Sequence, residues 1–221
     1  MNLQLPTYVL FDLDGTLLDS LPGIAHSVNH ACRMVGLPEP DIDLRSLLGP
    51  PIRTILSKVA RTNDASLLDR LETAFRSNYD TEGWQKTSCY DGAREALAVM
   101  HASGWRLFVV SNKPRHISLR ILEFEGVLPL FERIYTPDSR IPPDASKADM
   151  IRGFLSDYGV SSAECLMVGD TMDDITAAAM NQMAAAFMQH GYGDVPSHVP
   201  VRFRLRSFSD FLVCLAMEGA R

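Results

Sequence analysis

The chain has 221 residues, enough for one large domain or for a core that carries a smaller insertion. Hydrophobic residues make up 46% and charged residues 22%, which excludes the polar, highly charged composition of a disordered chain. A formal net charge of −6 excludes general attraction to a polyanion, so no nucleic-acid partner is expected.

Taken in chain order, Tyr8-Val-Leu-Phe11 is a short apolar run of strand formers that ends in Asp12-Leu-Asp-Gly15, a polar tip with a glycine turn. From 18 to 82 no strand pattern occurs, and a connection of that length rarely stays structureless in a compact domain. A small helical domain is expected there. Gly36-Leu-Pro38 and Gly49-Pro-Pro51 separate its helices, and Leu67, Leu68, Leu71, Ala74, Phe75 and Asn78 lie on one helical stripe.

Beyond the insertion the pattern alternates. Helical faces at Ala93, Leu97 and Met100, at Ile117, Ile121 and Leu122, and at Met150, Ile151, Phe154 and Leu155 are interleaved with apolar strands. Those strands are Leu107–Val110, followed by Ser111-Asn112; Cys165–Val168, followed by Gly169-Asp170; and Ala184–Phe187. The densest basic run, Arg202, Arg204 and Arg206, alternates like the exposed face of another strand. Alternation of this kind predicts an α/β fold, a doubly wound parallel sheet whose strands all end along one ligand-binding edge. The expected division is a core of 1–17 and 83–221 with a helical cap of 18–82.

The strand tips carry the chemistry. Asp12 and Asp14 leave one strand end two residues apart, so their carboxylates share a small space and repel unless a proton or cation is shared. Magnesium, which prefers oxygen ligands, suits such a pair. Read alone, the pair is also an ordinary acidic turn; a calcium loop fails because Gly23 would stand where the bidentate Glu belongs. Asp170 and Asp174 add carboxylates at a second tip, while Asp173 suits the first turn of a helix. Ser111 and Asn112 form an anion cradle at a third tip. Lys147 begins a helix against the macrodipole preference, so a local anionic partner is expected.

Together, Asp12-Leu-Asp-Gly-Thr16, Ser111-Asn112, Lys147 and Gly169-Asp170…Asp174 resemble, in order, the four motifs of the haloacid dehalogenase superfamily. The Ser-Asn-Lys-Pro form and the early helical cap are similar to its phosphoglycolate-phosphatase-like branch. In place of that branch's common Lys-Pro-x-Pro form, this chain has Pro-Pro-Asp-Ala-Ser-Lys147. The resemblance implies a magnesium-dependent phosphohydrolase of small phosphorylated metabolites. Asp12 would be the nucleophile and Asp14 the general acid and base. Thr16, Ser111 and Asn112 would bind phosphate, and Lys147 would neutralise charge. The metal would be held by Asp12, Asp14, Asp170 and Asp174. Asp14 also argues against dehalogenation. A phosphomutase shares the same motifs, and a receiver-like module would place its lysine after the acidic sites. Arg53, beside Gly49-Pro-Pro51, is expected to reach a distal anionic group of the substrate.

Other patterns point elsewhere. His26 and His30 are four apart, but no Glu follows His26, and Gly191-Tyr-Gly193 reads as a loop after a strand. Met180, Met183 and Met188 suit core filling. Four scattered cysteines read as reduced thiols, and no leader or membrane span is seen, so a soluble cytoplasmic protein without a membrane partner is expected. The physiological substrate and the oligomeric state are left open by the sequence.

Overall fold

The computed structural model describes residues 7–219. In chain order, β1 (Tyr8–Phe11) and β2 (Leu18–Asp19) lead into α1 (Leu21–Val35), α2 (Ile52–Ala60) and α3 (Ala65–Tyr79). Then come β3 (Ser88–Cys89), α4 (Ala93–Ala102), β4 (Arg106–Val110), α5 (Arg115–Phe124), β5 (Phe131–Tyr135) and α6 (Lys147–Tyr158). The chain ends with β6 (Cys165–Gly169), α7 (Met172–Met180), β7 (Ala184–Met188), β8 (Phe203–Leu205) and α8 (Phe208–Gly219).

Six strands form one sheet in the order β5-β4-β1-β6-β7-β8, every pair parallel. This is the expected α/β architecture, a doubly wound sheet with helices on both faces. Strand periodicity explains the continuous apolar runs. Val9 and Phe11 face one layer with α4, α5 and α8, whereas Leu10 faces the other with α6 and α7. Every residue of β1 after Tyr8 is therefore buried, whichever side it faces. In register, Phe11 pairs with both Val109 and Val168, so the tips of β1, β4 and β6 end side by side.

Two edge strands complete the sheet. β5 was not legible as a strand because Glu132 and Arg133 interrupt its apolar pattern at the exposed edge. β8 carries Arg204 between Phe203 and Leu205, in keeping with the alternating arginines. Met183 and Met188 fill the core as expected, but Met180, at the end of α7, is 65% exposed.

The helical insert packs α1 against α3, and its apolar side joins the same cluster as Val9 and Phe11. At its base a two-stranded antiparallel ribbon pairs Leu18 with Cys89 and Asp19 with Ser88. That ribbon lies partly within the stretch expected to hold no strand, and two residues a side are too few to leave a periodic signal. The 3-10 turn Gly83–Lys86 packs against α1 and buries Trp84.

Candidate active site

Three strand tips converge. Asp12 follows β1, where its N–H bonds to the Val168 carbonyl; Ser111 follows β4, bonded to the Tyr135 carbonyl; Asp170 follows β6. The carboxylates of Asp12, Asp170 and Asp174 lie with one oxygen each within 4.8 Å of one another, all three buried. One cation faces them. Lys147 Nζ stands 3.1 Å from Asp12 Oδ1 and 2.5 Å from Asp174 Oδ1, and only 3% of its side chain is exposed. The local partner expected for a lysine at a helix start is thus a pair of carboxylates.

Each acid of this cluster is held from behind. Asp170 accepts from the Thr16 hydroxyl at 2.9 Å and from the Tyr192 N–H at 2.7 Å. Asp174 accepts from the Thr171 N–H and hydroxyl, closing the capping box at the start of α7. Glycines make room for Asp170: a Cβ on Gly191 or on Gly15 would come within 2.2 Å of its side chain, and Gly15 also has φ of +88°.

Burial, with Asp174, Asp170 and Asp14 adding repulsion against the pull of Lys147, pushes the Asp12 carboxyl up to about 8. Burial and Asp174 push Asp170 up to about 6. Fully ionised, three buried carboxylates against one ammonium would carry an excess of two negative charges, and their oxygens form a hard donor set. The residues therefore fit a divalent cation, which would bring both acids back to the ionised state.

Asp14 departs from expectation. Its carboxylate is absent from the cluster and accepts instead from Lys113 Nζ at 2.9 and 3.0 Å. The alternation argument stops at the strand end: Asp14 already sits in the turn, bridged to Leu18, and its side chain turns towards the ammonium. Thr16 also departs, being fully buried with its hydroxyl on Asp170 rather than free for phosphate.

Ser111 is buried; its Oγ accepts from the Lys113 N–H, which leaves the hydroxyl proton for an anion. The Asn112 amide donates to the Gly49 carbonyl of the insert and to Asp173, tying the insert to the sheet edge. A cleft of about 200 Å³ runs from Asp12, Asp14 and Ser111 towards the insert, where Arg53 lines it.

The sequence profile of the family described as haloacid dehalogenase-like hydrolase matches residues 9–188, a span that contains every one of these side chains. This chain belongs to that family. It is 34% identical over 192 residues to the tyrosine-protein kinase PtkA of Mycobacterium tuberculosis, covering 85% of this chain and 64% of that one. It is 29% identical over 199 residues to a 5'-nucleotidase of Pseudomonas aeruginosa, covering 88% and 89%. Among solved structures, a predicted phosphoglycolate phosphatase from Haemophilus somnus superposes with a TM-score of 0.83 at 25% identity, covering 94% and 97%.

In this haloacid dehalogenase-like chain, three further residues shape the site without having been singled out from sequence. Lys113, in the Ser-Asn-Lys-Pro segment, is 5% exposed at its side chain and bridges Asp14 to the Tyr79 hydroxyl at 2.8 Å, at the end of α3. Burial acts to lower its ammonium, but Asp14 and Tyr79 outweigh that and hold it above the ordinary lysine range. Tyr192, from the Gly191-Tyr-Gly193 loop, accepts at its hydroxyl from the N–H groups of Ser20 and Leu21 and donates to Asp19. That loop therefore pins both Asp170 and the entry to the insert. The insert answers with Arg45, which donates to the carbonyls of His190 and Gly191. The local signals were Lys113's place after Ser111-Asn112 and the paired glycines; the partners lie far away in sequence.

Among the described residues no helix is long and apolar enough to cross a membrane. Cys32 and Cys165 are buried, Cys89 and Cys214 half-buried, and all four are free. His26 and His30 are half-buried on α1 and belong to no metal-binding group.

Proposed function

We propose that the protein is a magnesium-dependent phosphohydrolase acting on small phosphomonoesters through an aspartyl-phosphate on Asp12. The observation that carries this reading is the division of labour between two carboxylates of one turn. Asp12 lies in the cluster beside Lys147, and Asp14 is held apart from it by Lys113. An Asp12 oxygen attacks phosphorus in line with the ester oxygen. Ser111 and Lys147 hold and neutralise the transferred oxygens, and Asp14, having taken a proton from solvent as the ester binds, gives it to the leaving alkoxide. Asp14, now a carboxylate, takes a proton from the water that attacks the phosphorus, and Asp12 is released. Magnesium held by Asp12, Asp170 and Asp174 would add positive charge against the phosphoryl oxygens.

The kinase name of the mycobacterial relatives belongs to chains of which this one spans 64%. No Gly-x-x-x-x-Gly-Lys-Ser/Thr loop for a nucleotide triphosphate occurs here. The free thiols suit a reducing compartment, and we place the protein in the cytoplasm. Hydrolysis of p-nitrophenyl phosphate in magnesium, falling to background in Asp12→Asn and in excess chelator, is the test. Undiminished turnover in either case rejects the mechanism.

A further inference from the structure

The wall of the cleft away from Asp12 is made by the insert. Ile24, Leu48, Ile52, Ile55 and Phe75 give it an apolar lining, and Arg53, Glu72 and Arg76 supply its charges. A distal anion of a substrate would need a positive charge that is not already matched. The cleft offers none: Arg53 bonds Asp69 at 2.7 Å and Glu72 at 3.3 Å, and Arg76 bonds Glu72 at 3.1 Å. Lys113, the remaining cation of the lining, is held by Asp14. Glu72 thus occupies both guanidinium groups that face the cleft and presents its own negative charge beside them.

We infer that the cleft selects phosphomonoesters whose organic part is uncharged and apolar, and that Glu72 is the specificity-determining residue that turns away anionic ones. The inference rests on the phosphatase reading above and reverses the role expected for Arg53. An apolar body exchanges water for the Ile and Phe lining, whereas a distal carboxylate would meet Glu72 with its counter-charges already taken. Discrimination here comes from a repulsive element as much as from an attractive one.

The test compares benzyl phosphate with 4-carboxybenzyl phosphate in magnesium, a pair alike in ring and in reacting oxygen. The wild-type chain should favour the neutral ester in kcat/KM by about fivefold or more, the scale of one unit-charge contact near solvent. Glu72→Gln, isosteric and on an insert helix, should erase that preference by raising the carboxylate ester. Ile52→Ala should lower kcat/KM for benzyl phosphate more than for its carboxylate analogue. A wild-type preference for the carboxylate ester, or a preference unchanged in Glu72→Gln with an unaltered melting temperature, overturns the inference. Calorimetric binding of benzylphosphonate and 4-carboxybenzylphosphonate reads the same preference without turnover. Should no ester be hydrolysed while the phosphonates keep the predicted order and its Glu72 dependence, the phosphatase reading falls and the cleft assignment stands. Equal binding of the two phosphonates, or binding of neither, rejects the cleft assignment.

Discussion

At the floor of the cleft Asp12 and Lys147 have side chains 6% and 3% exposed, and Asp174 is wholly buried. At the insert wall Arg53 keeps 41% of its side-chain surface in contact with solvent and Glu72 26%. The floor stands on parallel strands whose tips are fixed by register, and Asp170 and Asp174 there are also held by backbone N–H groups. The wall stands on α2 and α3, and its charges are held by one another and by one long bond from Arg53 to the Ala65 carbonyl at 3.4 Å. Rigid, desolvated groups can act on a reacting centre with little reorganisation, while solvated pairs contribute little energy but can be retuned. On the proposed reading, chemistry and selectivity thus belong to different regions of the molecule.

The sharpest way to break this contrast is at Asp14, which belongs to the floor but escapes its acid cluster. In Asp14→Asn, p-nitrophenolate is a good enough leaving group to depart without an acid, so Asp12 should still be phosphorylated. Hydrolysis of the intermediate should slow by about 10²–10⁴-fold. Rapid quench should show a burst of nitrophenolate followed by slow turnover. A variant that binds substrate yet shows neither burst nor slowing removes Asp14 from the mechanism.

Lys113→Met should be next in size, because it strands the Asp14 carboxylate beside Tyr79. Breaking a buried pair costs roughly 3–5 kcal/mol, reduced here because Asp14 is 21% exposed. Chemical denaturation should show a loss of about 2 kcal/mol or more, whereas Tyr79→Phe, which removes one hydrogen bond, should lose about 1 kcal/mol. If the two variants are equally stable, the ammonium is not the link between floor and insert.

The floor's charge excess also gives a pH signature. With the Asp12 carboxyl raised to about 8 and Asp170 to about 6, both hold protons in the metal-free folded state that the unfolded chain releases near pH 4. Their contribution to stability is therefore complete below about pH 4 and is lost as pH rises towards 8. In chelator, the melting temperature of wild type should fall relative to that of Asp12→Asn over this window. Added magnesium should raise the wild-type melting temperature more at pH 8 than at pH 6, because fewer protons must leave. Parallel melting profiles for the two proteins would contradict the proton on Asp12. The smallest effect belongs to the wall: Arg53→Ala removes ion pairs that water already screens and should barely move the denaturation midpoint.

Much of the floor was readable because strand ends, glycine turns and helix starts are local events. Asp12, Ser111, Asp170 and Asp174 each follow or cap an element whose period is visible in a few residues. The unexpected pairings depend on distance. Lys113 meets Asp14 across 99 residues and Tyr79 across 34, and no periodicity links them. The same holds for Thr16, whose hydroxyl is taken by a carboxylate 154 residues away. Arg53 lines the cleft, but its neighbours Asp69 and Glu72 lie on the next helix and occupy its guanidinium, which no local pattern around Arg53 announces. The edge strand β5 was hidden by its own exposure, since a strand wet on one side does not read as a buried run.

The strand that leads into Asp12 precedes its sheet partners in the chain, yet it lies between β4 and β6, which come far later. On an emerging polypeptide, Tyr8-Val-Leu-Phe11 has no strand to pair with until those segments arrive, whereas the insert can close α1 on α3 from nearby sequence. Long-range parallel pairing of this kind is slow, because loop closure must precede its reward. Refolding should therefore gain helix first, and the amides of β1 should be among the last to acquire protection from hydrogen exchange.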